Sequence, residues 1–213
     1  MKVLLIGATG ATGKFVLQNL LRESQITEVV IFVRTSTGNK DLKLTEIVTS
    51  FDQLEKFQTK MQADVAISCL GTTLKQAGSK ELQWLVDYEY QYQFAQLAKS
   101  NNVRQFILLS ALGASTNSRL FYNKMKGALE DAVKNLNFDR LDILQPSLLI
   151  RPNSDRLGER FSEKILNIFN SFAMLKSFQP IKVENLGFII ANLVFEKQKG
   201  VYIWPLKDLI KRV

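Results

Sequence analysis

The stretch "KVLLIGATGATGKFVLQNLL", residues 2–21, joins a short apolar run to an amphipathic helical pattern through three glycines at G-x-x-G-x-x-G spacing. Gly7 permits a tight turn off a strand, Gly10 lets the backbone approach a pyrophosphate closely, and Gly13 lets the helix pack near the strand. The helix N-terminus then offers unpaired N–H groups and a positive dipole end. Glycines also mark structural turns, but this strand–turn–helix context favours a nucleotide-phosphate site.

Further short runs rich in Val, Ile and Leu alternate with longer helical patterns along the chain. The runs that predict strands are Val3–Ile6, Val29–Val33, Glu46–Val48, Val65–Ser68, Phe106–Ser110 and Leu141–Leu144. The patterns that predict helices are Gly13–Arg22, Gln53–Met61, Lys80–Ser100 and Phe121–Leu136. None of the apolar runs alternates with polar residues, as expected of strands buried on both faces of a parallel sheet. The chain is therefore predicted to be α/β, with a Rossmann-type doubly wound parallel sheet.

From about Pro146 the pattern changes to loops and helices. One amphipathic helix is indicated by apolar residues at helical spacing: Phe161, Ile165, Ile168 and Phe172. The segments "KVENLGFIIANLVFEK" (182–197) and "GVYIWP" (200–205) predict a further helix and a late strand. Because no linker, repeat or low-complexity tract interrupts the chain, we expect a single NAD(P)-binding domain, residues 1–213. Residues 146–213 are expected to form a small C-terminal helical cover on the substrate side.

Composition excludes several kinds of chemistry. The 213 residues contain no histidine, which removes His-based acid/base catalysis, Ser-His-Asp triads and His-ligated metals, and no metal is predicted. The formal net charge is +8, from 28 basic and 20 acidic side chains. These charges are scattered, whereas a nucleic-acid footprint clusters on one element. We therefore expect no nucleic-acid partner and regard the charge as compatible with a phosphorylated cofactor.

The single cysteine and the N-terminal sequence indicate in which cellular compartment the protein is expected. Cys69 rules out an internal disulfide and suits a reducing environment; its apolar setting predicts a buried small side chain rather than a nucleophile. No apolar run approaches the roughly 20 residues that span a bilayer, and no leader pattern precedes the first strand. A cytoplasmic protein without a membrane partner is expected.

The end of the second predicted strand indicates which cofactor binds. In NAD sites a carboxylate about 20 residues past the glycines holds the ribose hydroxyls. Here "VVIFVRTSTGNK" (29–40) carries Arg34 at that place, with Lys40 a few residues on. A guanidinium suits a 2′-phosphate through paired, charge-assisted hydrogen bonds. The pattern favours NADP(H) over NAD, the alternative being an exposed loop arginine.

A serine, a tyrosine and a lysine are the candidate catalytic residues. Ser110 ends the fifth predicted strand, and Tyr122 and Lys126 follow at i,i+4 spacing near the start of the next helix. Strand C-termini and the helix starts that follow them face the ligand crevice in this architecture. A nearby ammonium favours the phenolate form of tyrosine, and a serine hydroxyl can bond a substrate oxygen. An i,i+4 pair on a solvated helix face is the alternative.

Together the Tyr-x-x-x-Lys pair, Ser110 and the glycine spacing resemble the atypical and extended short-chain dehydrogenase/reductases. More narrowly, the chain looks like the oxidoreductases related to the eukaryotic Tat-interacting protein. These belong to an NAD(P)-binding Rossmann family related to nucleoside-diphosphate-sugar epimerases. The stretches that carry this narrower resemblance are "CLGTTLKQAG" (69–78), "LLSALGA" (108–114), "YNKMKG" (122–127) and "FDRLDILQPSLLI" (138–150).

The resemblance assigns roles to particular residues. It implies that Tyr122 is the proton donor, Lys126 the pKa depressor and ribose ligand, and Ser110 the partner of the substrate oxygen. Gly71 is expected against the cofactor, and Asp87 either near the site or facing solvent. The full set of cofactor-binding residues implied by glycine loop and resemblance is Gly7, Thr9, Gly10, Ala11, Thr12, Gly13, Arg34, Ser50, Phe51, Cys69, Leu70, Gly71, Lys126 and Pro146.

Three positions depart from the pattern of these relatives. Ser50 stands where many have an acidic residue, Ala111 where many have a second serine, and Ser147 follows Pro146 where many have glycine. The departures lie at the adenine and nicotinamide ends of the expected site. They leave the predicted chemistry in place and leave cofactor affinity and substrate open.

The expected function is that of an NADP(H)-dependent oxidoreductase moving hydride between nicotinamide and a small carbonyl or alcohol. The alternative is an NADP(H)-binding regulatory or redox-sensing protein with little turnover, because the eukaryotic relatives are regarded largely as regulators. The oligomeric state stays open between monomer and homodimer. Trp84, Tyr88 and Tyr92 on one predicted helix suit either a core or a dimer face.

Overall fold

The computed structural model describes residues 1–147, 149–150 and 180–212. Its strands, in chain order, are β1 (Lys2–Ile6), β2 (Glu28–Val33), β3 (Leu44–Val48), β4 (Val65–Ser68), β5 (Gln105–Leu109), β6 (Arg140–Gln145), β7 (Leu149–Ile150), β8 (Ile181–Lys182) and β9 (Gly200–Pro205). Seven of them form one sheet in the order β3-β2-β1-β4-β5-β6-β9, and all its described pairings are parallel. β7 and β8 form a separate parallel pair. The predicted Rossmann-type doubly wound sheet is confirmed.

The order of the strands places the glycine loop at the switch point of the sheet. β1 lies between β2 and β4, so the chain leaves β1 in one direction to build β2 and β3 and returns to build β4 on the other side. Ligands in such sheets bind outside the carboxyl ends of the strands at this reversal. The loop after Ile6 is therefore where a cofactor is expected.

The described helices are α1 (Gly13–Arg22), α2 (Leu74–Ala77), α3 (Lys80–Trp84), α4 (Tyr90–Ser100), α5 (Phe121–Lys134), α6 (Val183–Leu193) and α7 (Leu206–Leu209), with 3₁₀ segments at Phe51–Lys60 and Ile210–Arg212. None of them is long and apolar enough to cross a membrane. α1 and α6 cover one face of the sheet, and α4 and α5 cover the other.

Two helix predictions require correction. The helix predicted over Gln53–Met61 is a 3₁₀ segment, because Gln53 and Phe57 have non-helical backbone angles that interrupt it. The single helix predicted over Lys80–Ser100 contains a π turn, Leu85–Glu89, between α3 and α4. Both segments carry helical spacing of apolar residues, which does not distinguish one helical form from another.

Both faces of the sheet are buried, which explains the unbroken apolar runs. Val3 and Leu5 contact the layer formed with α1 and α6, whereas Leu4 and Ile6 contact the layer formed with α4 and α5. Each of these four side chains is fully buried. A strand with two buried faces needs apolar residues at every position rather than at alternate ones.

The C-terminal part follows the prediction where the structure describes it. The late strand is confirmed as β9, which pairs with β6 from Arg140 opposite Gly200. The helix predicted over 182–197 is confirmed, but it ends at Leu193. The amphipathic helix predicted from Phe161 to Phe172 lies outside the described residues. The division of the chain into one domain with a cover stays a prediction.

Candidate cofactor and active site

The glycine loop is closed by direct backbone contacts. Gly7 has a φ of +83°, and a Cβ there would lie 2.5 Å from the backbone of Cys69 and Leu70 at the end of β4. A Cβ on Gly13 would lie 2.1 Å from the Gly7 carbonyl oxygen. The Gly10 N–H donates to that same oxygen at 3.0 Å. A side chain at Gly13 would push α1 away from the end of β1, and one at Gly7 would collide with the end of β4. The tight turn expected at Gly7 and the close helix packing expected at Gly13 are therefore present.

The exposed side of the loop has the chemistry that a pyrophosphate requires. Gly10 is exposed, and a Cβ there would approach only backbone oxygens, none nearer than 3.2 Å. α1 carries no acidic residue in its first turn, and the Thr12 side chain does not cap it. The positive end of a ten-residue helix therefore faces the loop without a competing anion. These residues fit the phosphates of a dinucleotide.

A cleft of about 840 Å³ runs from the glycine loop along the carboxyl ends of β1, β2 and β4. Predicted cofactor residues that line it are Gly7, Thr9, Gly10, Arg34, Ser50, Phe51, Cys69, Leu70 and Gly71. A smaller cavity of about 530 Å³ lies at the opposite, amino-terminal edge of the sheet, beside Arg104 and Arg140. Because ligands of open α/β sheets bind at the carboxyl edge, the larger cleft is the candidate site.

Other predicted cofactor residues lie outside the lining of this cleft. Thr12 and Gly13 are buried beneath the loop and Pro146 is buried after β6, whereas Ala11 is partly exposed. The Pro146 carbonyl accepts the Leu112 N–H at 2.9 Å. Their roles as direct cofactor contacts stay predictions.

Arg34 begins a loop that a carboxylate from the neighbouring strand organises. Glu46 on β3 accepts hydrogen bonds from the hydroxyls of Ser36 and Thr37 and from the Thr37 N–H. Burial acts to raise the pKa of Glu46, but these hydrogen bonds outweigh it and lower the pKa. Arg34 itself is exposed and forms no ion pair with a described residue, so its guanidinium is available to an anion in the cleft. The sequence pattern, which assigned Glu46 only to a strand, did not single it out.

Lys126 is held by a buried ion pair with Asp87. Lys126 on α5 is 2% exposed and Asp87 in the π turn is 1% exposed, and Lys126 Nζ lies 2.9 Å from Asp87 Oδ1. Among the described residues Oδ1 receives no hydrogen bond of regular geometry, so charge holds the contact. Asp87 Oδ2 accepts the Thr72 N–H at 2.9 Å, and a Cβ on Gly71 would lie 3.2 Å from Oδ1. Of the two alternatives expected for Asp87, near the site or facing solvent, the solvent-facing one is wrong, because Asp87 is buried and its pair with Lys126 lies directly behind the cleft wall.

The π turn places Asp87 against this wall with the help of a second buried polar residue. Gln91 Nε2 donates to the Asp87 carbonyl at 2.9 Å, and Gln91 Oε1 accepts the Ser68 hydroxyl at 2.8 Å. Gln83, one turn before Asp87, donates to the Thr72 carbonyl at 3.3 Å. Gln83, Asp87 and Gln91 are all buried, although their four-residue spacing is also that of the polar face of an ordinary amphipathic helix, so the sequence did not single them out as a buried set.

The candidate catalytic residues lie on α5 and at the end of β5. Tyr122, in the first turn of α5, is 39% exposed, and Lys126 Nζ lies 6.0 Å from the centre of its ring. Ser110 directly follows β5, is buried, and donates its hydroxyl to the carboxylate of Glu130 on α5. Tyr122, Lys126 and Glu130 share one helix face through four-residue spacing. Because Lys126 is buried, the pair is not a solvated helix face.

Cys69 behaves as the sequence predicted. It is buried at the end of β4, and burial raises the pKa of its thiol to about 12, although the nearby Lys126 acts to lower it. A thiol protonated over the whole physiological range is not a nucleophile. The reading of Cys69 as a small buried side chain is confirmed.

A glycine loop at the switch point of a parallel sheet, with a cleft along its carboxyl edge, defines a dinucleotide-binding protein of the Rossmann class. Residues 7–147 match the family described as NAD(P)H-binding. The chain belongs to that NAD(P)H-binding family.

The curated proteins similar to this chain include HTATIP2 and FMP52 proteins, in agreement with the predicted resemblance to relatives of the Tat-interacting protein. The chain is 36% identical over 162 residues to FMP52, mitochondrial, of Eremothecium gossypii, a match covering 75% of this chain and 68% of that protein. It is 32% identical over 167 residues to HTATIP2 of Rattus norvegicus, covering 76% and 69%. It is 30% identical over 218 residues to FMP52, mitochondrial, of Candida albicans, covering 99% and 93%.

Solved structures share the fold at low sequence identity. A short-chain dehydrogenase/reductase superfamily protein of Agrobacterium tumefaciens with bound NAD has a TM-score of 0.73 at 12% identity, covering 96% of this chain and 77% of that one. The enzyme WbmH of Bordetella bronchiseptica, in complex with NAD+, has a TM-score of 0.69 at 19% identity, covering 96% and 75%. Both support the Rossmann-type architecture of the chain.

The expectation of a cytoplasmic protein is wrong on the strength of these relatives. FMP52 proteins of several fungi are named mitochondrial. The expectation used one buried cysteine and the absence of a leader pattern, and neither feature distinguishes one reducing compartment from another.

Proposed function

We propose that this protein is an NADP(H)-dependent oxidoreductase that transfers hydride between nicotinamide and a small carbonyl or alcohol. One observation carries the proposal: Tyr122 and Lys126 share a face of α5, while Ser110 at the end of β5 hydrogen-bonds to the same helix. Ser110 directly follows β5 at the carboxyl edge of the sheet, along which the cleft runs, and α5 carries Tyr122 and Lys126; none of the three lines the cleft itself. A cofactor on that edge and a proton donor beside it are the two requirements of carbonyl reduction.

Different residues of the cleft would bind different parts of the cofactor. The Gly7–Gly13 loop and the N-terminus of α1 would hold the pyrophosphate, and Arg34 would hold a 2′-phosphate through its unpaired guanidinium. Arg34 supports NADP(H) over NAD, because the carboxylate of an NAD site is absent from the end of β2. When bound, the nicotinamide supplies or accepts the hydride.

The residues of α5 then move the proton. Tyr122 donates its hydroxyl proton to the carbonyl oxygen in reduction and takes a proton from the alcohol in oxidation. Lys126 lies on the same helix face, with its Nζ 6.0 Å from the centre of the Tyr122 ring. Asp87 fixes that ammonium in place with its 2.9 Å contact, so Lys126 does not have to be ordered when substrate binds.

The test compares wild type with Tyr122→Phe in a screen of small carbonyls against NADPH. We expect oxidation of NADPH by wild type, and loss of about 10²–10⁴-fold in the variant because its proton donor is removed. Cofactor affinity, measured by fluorescence titration, should stay unchanged in Tyr122→Phe. Equal turnover by both proteins would contradict the role of Tyr122.

A cofactor-binding regulatory or redox-sensing protein with little turnover is the second candidate. The observation that favours it is that carboxylates already occupy two of the three candidate catalytic groups: Glu130 accepts from Ser110, and Asp87 pairs with Lys126. On this reading the three groups organise a binding site rather than a reaction. Tight NADPH binding without NADPH oxidation by wild type on any carbonyl of the screen would select it.

A further inference from the structure

A carboxylate outside the cleft holds the loop that follows β2. Residues 34–43 form no helix or strand, so local contacts have to give this segment its shape. Glu46, on β3, accepts the hydroxyls of Ser36 and Thr37. It also accepts the Thr37 N–H, which lies 3.2 Å from both of its oxygens. Glu46 itself does not line the cleft, whereas the two loop residues that it contacts do.

The two hydroxyls extend this restraint along the loop. The Ser36 hydroxyl, while donating to Glu46, accepts the Gly38 N–H at 3.2 Å. The Thr37 hydroxyl likewise accepts the Asn39 N–H at 3.2 Å. A hydroxyl has one proton to donate and two lone pairs with which to accept, so both protons are already used in contacts with Glu46. Through these bonds Glu46 ties the whole stretch to the edge strand of the sheet.

Arg34 lies between two anchored points of the backbone. On one side it follows Val33, the last residue of β2, which is paired with β3. On the other side Ser36 is bound to Glu46. Only Arg34 and Thr35 separate these points, and both line the cleft. The Arg34 guanidinium, which forms no ion pair with a described residue, is therefore carried by a short and restrained piece of backbone.

We infer that Glu46 is a positioning residue for the cofactor, which sets the preference for NADP(H) over NAD by holding the loop so that Arg34 faces the 2′-phosphate. This inference rests on the proposed function. A flexible loop would have to be ordered when the phosphate binds, at a cost in affinity. The hydrogen bonds of Glu46 order it beforehand. NADH has no 2′-phosphate, so its binding does not depend on this order.

The negative charge of Glu46 and its hydrogen bonds have opposite effects on a phosphate in the cleft. Burial acts to raise the pKa of Glu46, but the hydrogen bonds from Ser36 and Thr37 lower it from 4.5, so the side chain is ionised at neutral pH. An anion repels a phosphate, and salt weakens that repulsion. Removing the carboxylate would therefore weaken NADPH binding through loss of loop order, or strengthen it through loss of repulsion. Because donors of the loop surround the carboxylate, we expect the loss of order to dominate.

Two variants of Glu46 and one control test the inference. Glu46→Ala removes every contact of this side chain with the loop, and Glu46→Gln keeps one acceptor oxygen. Glu55→Ala is the matched control, because Glu55 is an exposed carboxylate of the Phe51–Lys60 segment that accepts from Gln93 at 3.5 Å instead.

The dissociation constants of NADPH and NADH are measured by fluorescence titration at about 0.15 M salt. The preference for NADPH should fall by about 5- to 30-fold in Glu46→Ala, the entropy cost of ordering a single loop residue. It should fall less in Glu46→Gln and stay unchanged in Glu55→Ala. A merely structural role would weaken both nucleotides equally. An unchanged preference in Glu46→Ala, or tighter NADPH binding, would overturn the inference.

Trypsin tests the order of the loop without any nucleotide. The loop offers cleavage sites after Arg34 and Lys40, and local opening controls cleavage of a native chain. Relative to the other tryptic sites, these two should be cut faster in Glu46→Ala than in wild type or Glu55→Ala, as mass spectrometry would show. Equal rates would overturn the inference and leave the proposed function standing. Wild type that binds neither nucleotide would overturn the proposed function and, with it, the role of Glu46 in cofactor preference.

Discussion

Replacing Asp87 by asparagine should destabilise the protein strongly, although only one atom of the side chain changes. Asparagine can still accept the Thr72 N–H that Asp87 accepts at 2.9 Å. What it removes is the negative charge 2.9 Å from Lys126 Nζ, in a place where both side chains are at most 2% exposed. The variant leaves an ammonium buried without a counter-charge, which is among the most destabilising changes a fold can undergo.

The size of the expected loss in stability follows from the burial of the ion pair between Asp87 and Lys126. Removing one partner of a buried ion pair costs about 3–5 kcal/mol. For a chain of this size each kcal/mol lowers the unfolding midpoint by about 2–4 °C, so Asp87→Asn should melt roughly 6–20 °C below wild type. Adding Lys126→Met to Asp87→Asn removes the stranded charge and should restore most of this loss, because apolar replacements of buried pairs are often nearly neutral.

The assay is thermal unfolding of wild type, Asp87→Asn, the double variant and a surface control. Asp139→Asn breaks an exposed pair in which Lys199 Nζ lies 3.0 Å from the carboxylate, and solvent screens such a pair. Its midpoint should change far less than that of Asp87→Asn, although the two distances are similar. An Asp87→Asn midpoint within about 2 °C of wild type would refute the reasoning, since a loss below about 1 kcal/mol is too small for a stranded buried charge.

Three further results are expected. Arg34→Ala should weaken the binding of NADPH by about 10- to 150-fold, the value of charge-assisted hydrogen bonds, while the affinity for NADH changes little. Equal losses of affinity for both nucleotides in a fluorescence titration would contradict the 2′-phosphate role of Arg34. Glu46→Gln should melt below wild type at neutral pH. Because the fold lowers the Glu46 pKa from 4.5, that difference is present above this pH and should shrink as pH falls below it, in melts recorded from about pH 3 to pH 7. Native Cys69, with its pKa raised to about 12, should resist iodoacetamide at about pH 8 and react once the protein is denatured, as mass spectrometry would show.

Local patterns were sufficient for the parts of the fold that local forces determine. The β1–loop–α1 unit is encoded within the 21 consecutive residues 2–22, where the steric role of each glycine can be predicted from its position. The unbroken apolar runs predicted strands buried on two faces for the same reason. The position of Arg34 in the cleft could be predicted, because its distance along the chain from the glycines is set by the length of one helix and one strand.

The partners of the candidate catalytic residues were beyond local reading. Asp87 and Lys126 lie on different helices, and Glu130 reaches back to Ser110 across the end of a strand. An acidic residue on a helix has the same local pattern whether it faces solvent or a buried ammonium, so only tertiary packing distinguishes the two cases. The π turn is hidden for a similar reason, because it retains the apolar spacing of an ordinary helix.

The π turn also affects how the length of this chain can vary. An α-helix advances 100° per residue, so a one-residue insertion or deletion normally rotates everything beyond it to the wrong face. Leu85–Glu89 already accommodates a wider turn within a continuous helical segment. Loss of one residue there would let the segment form a regular α-helix. Asp87 would then change position, while α4 would keep the face that it packs against the sheet. Related chains that differ in length by one residue at this point are therefore expected to keep the helix and to differ in how the lysine equivalent to Lys126 is held.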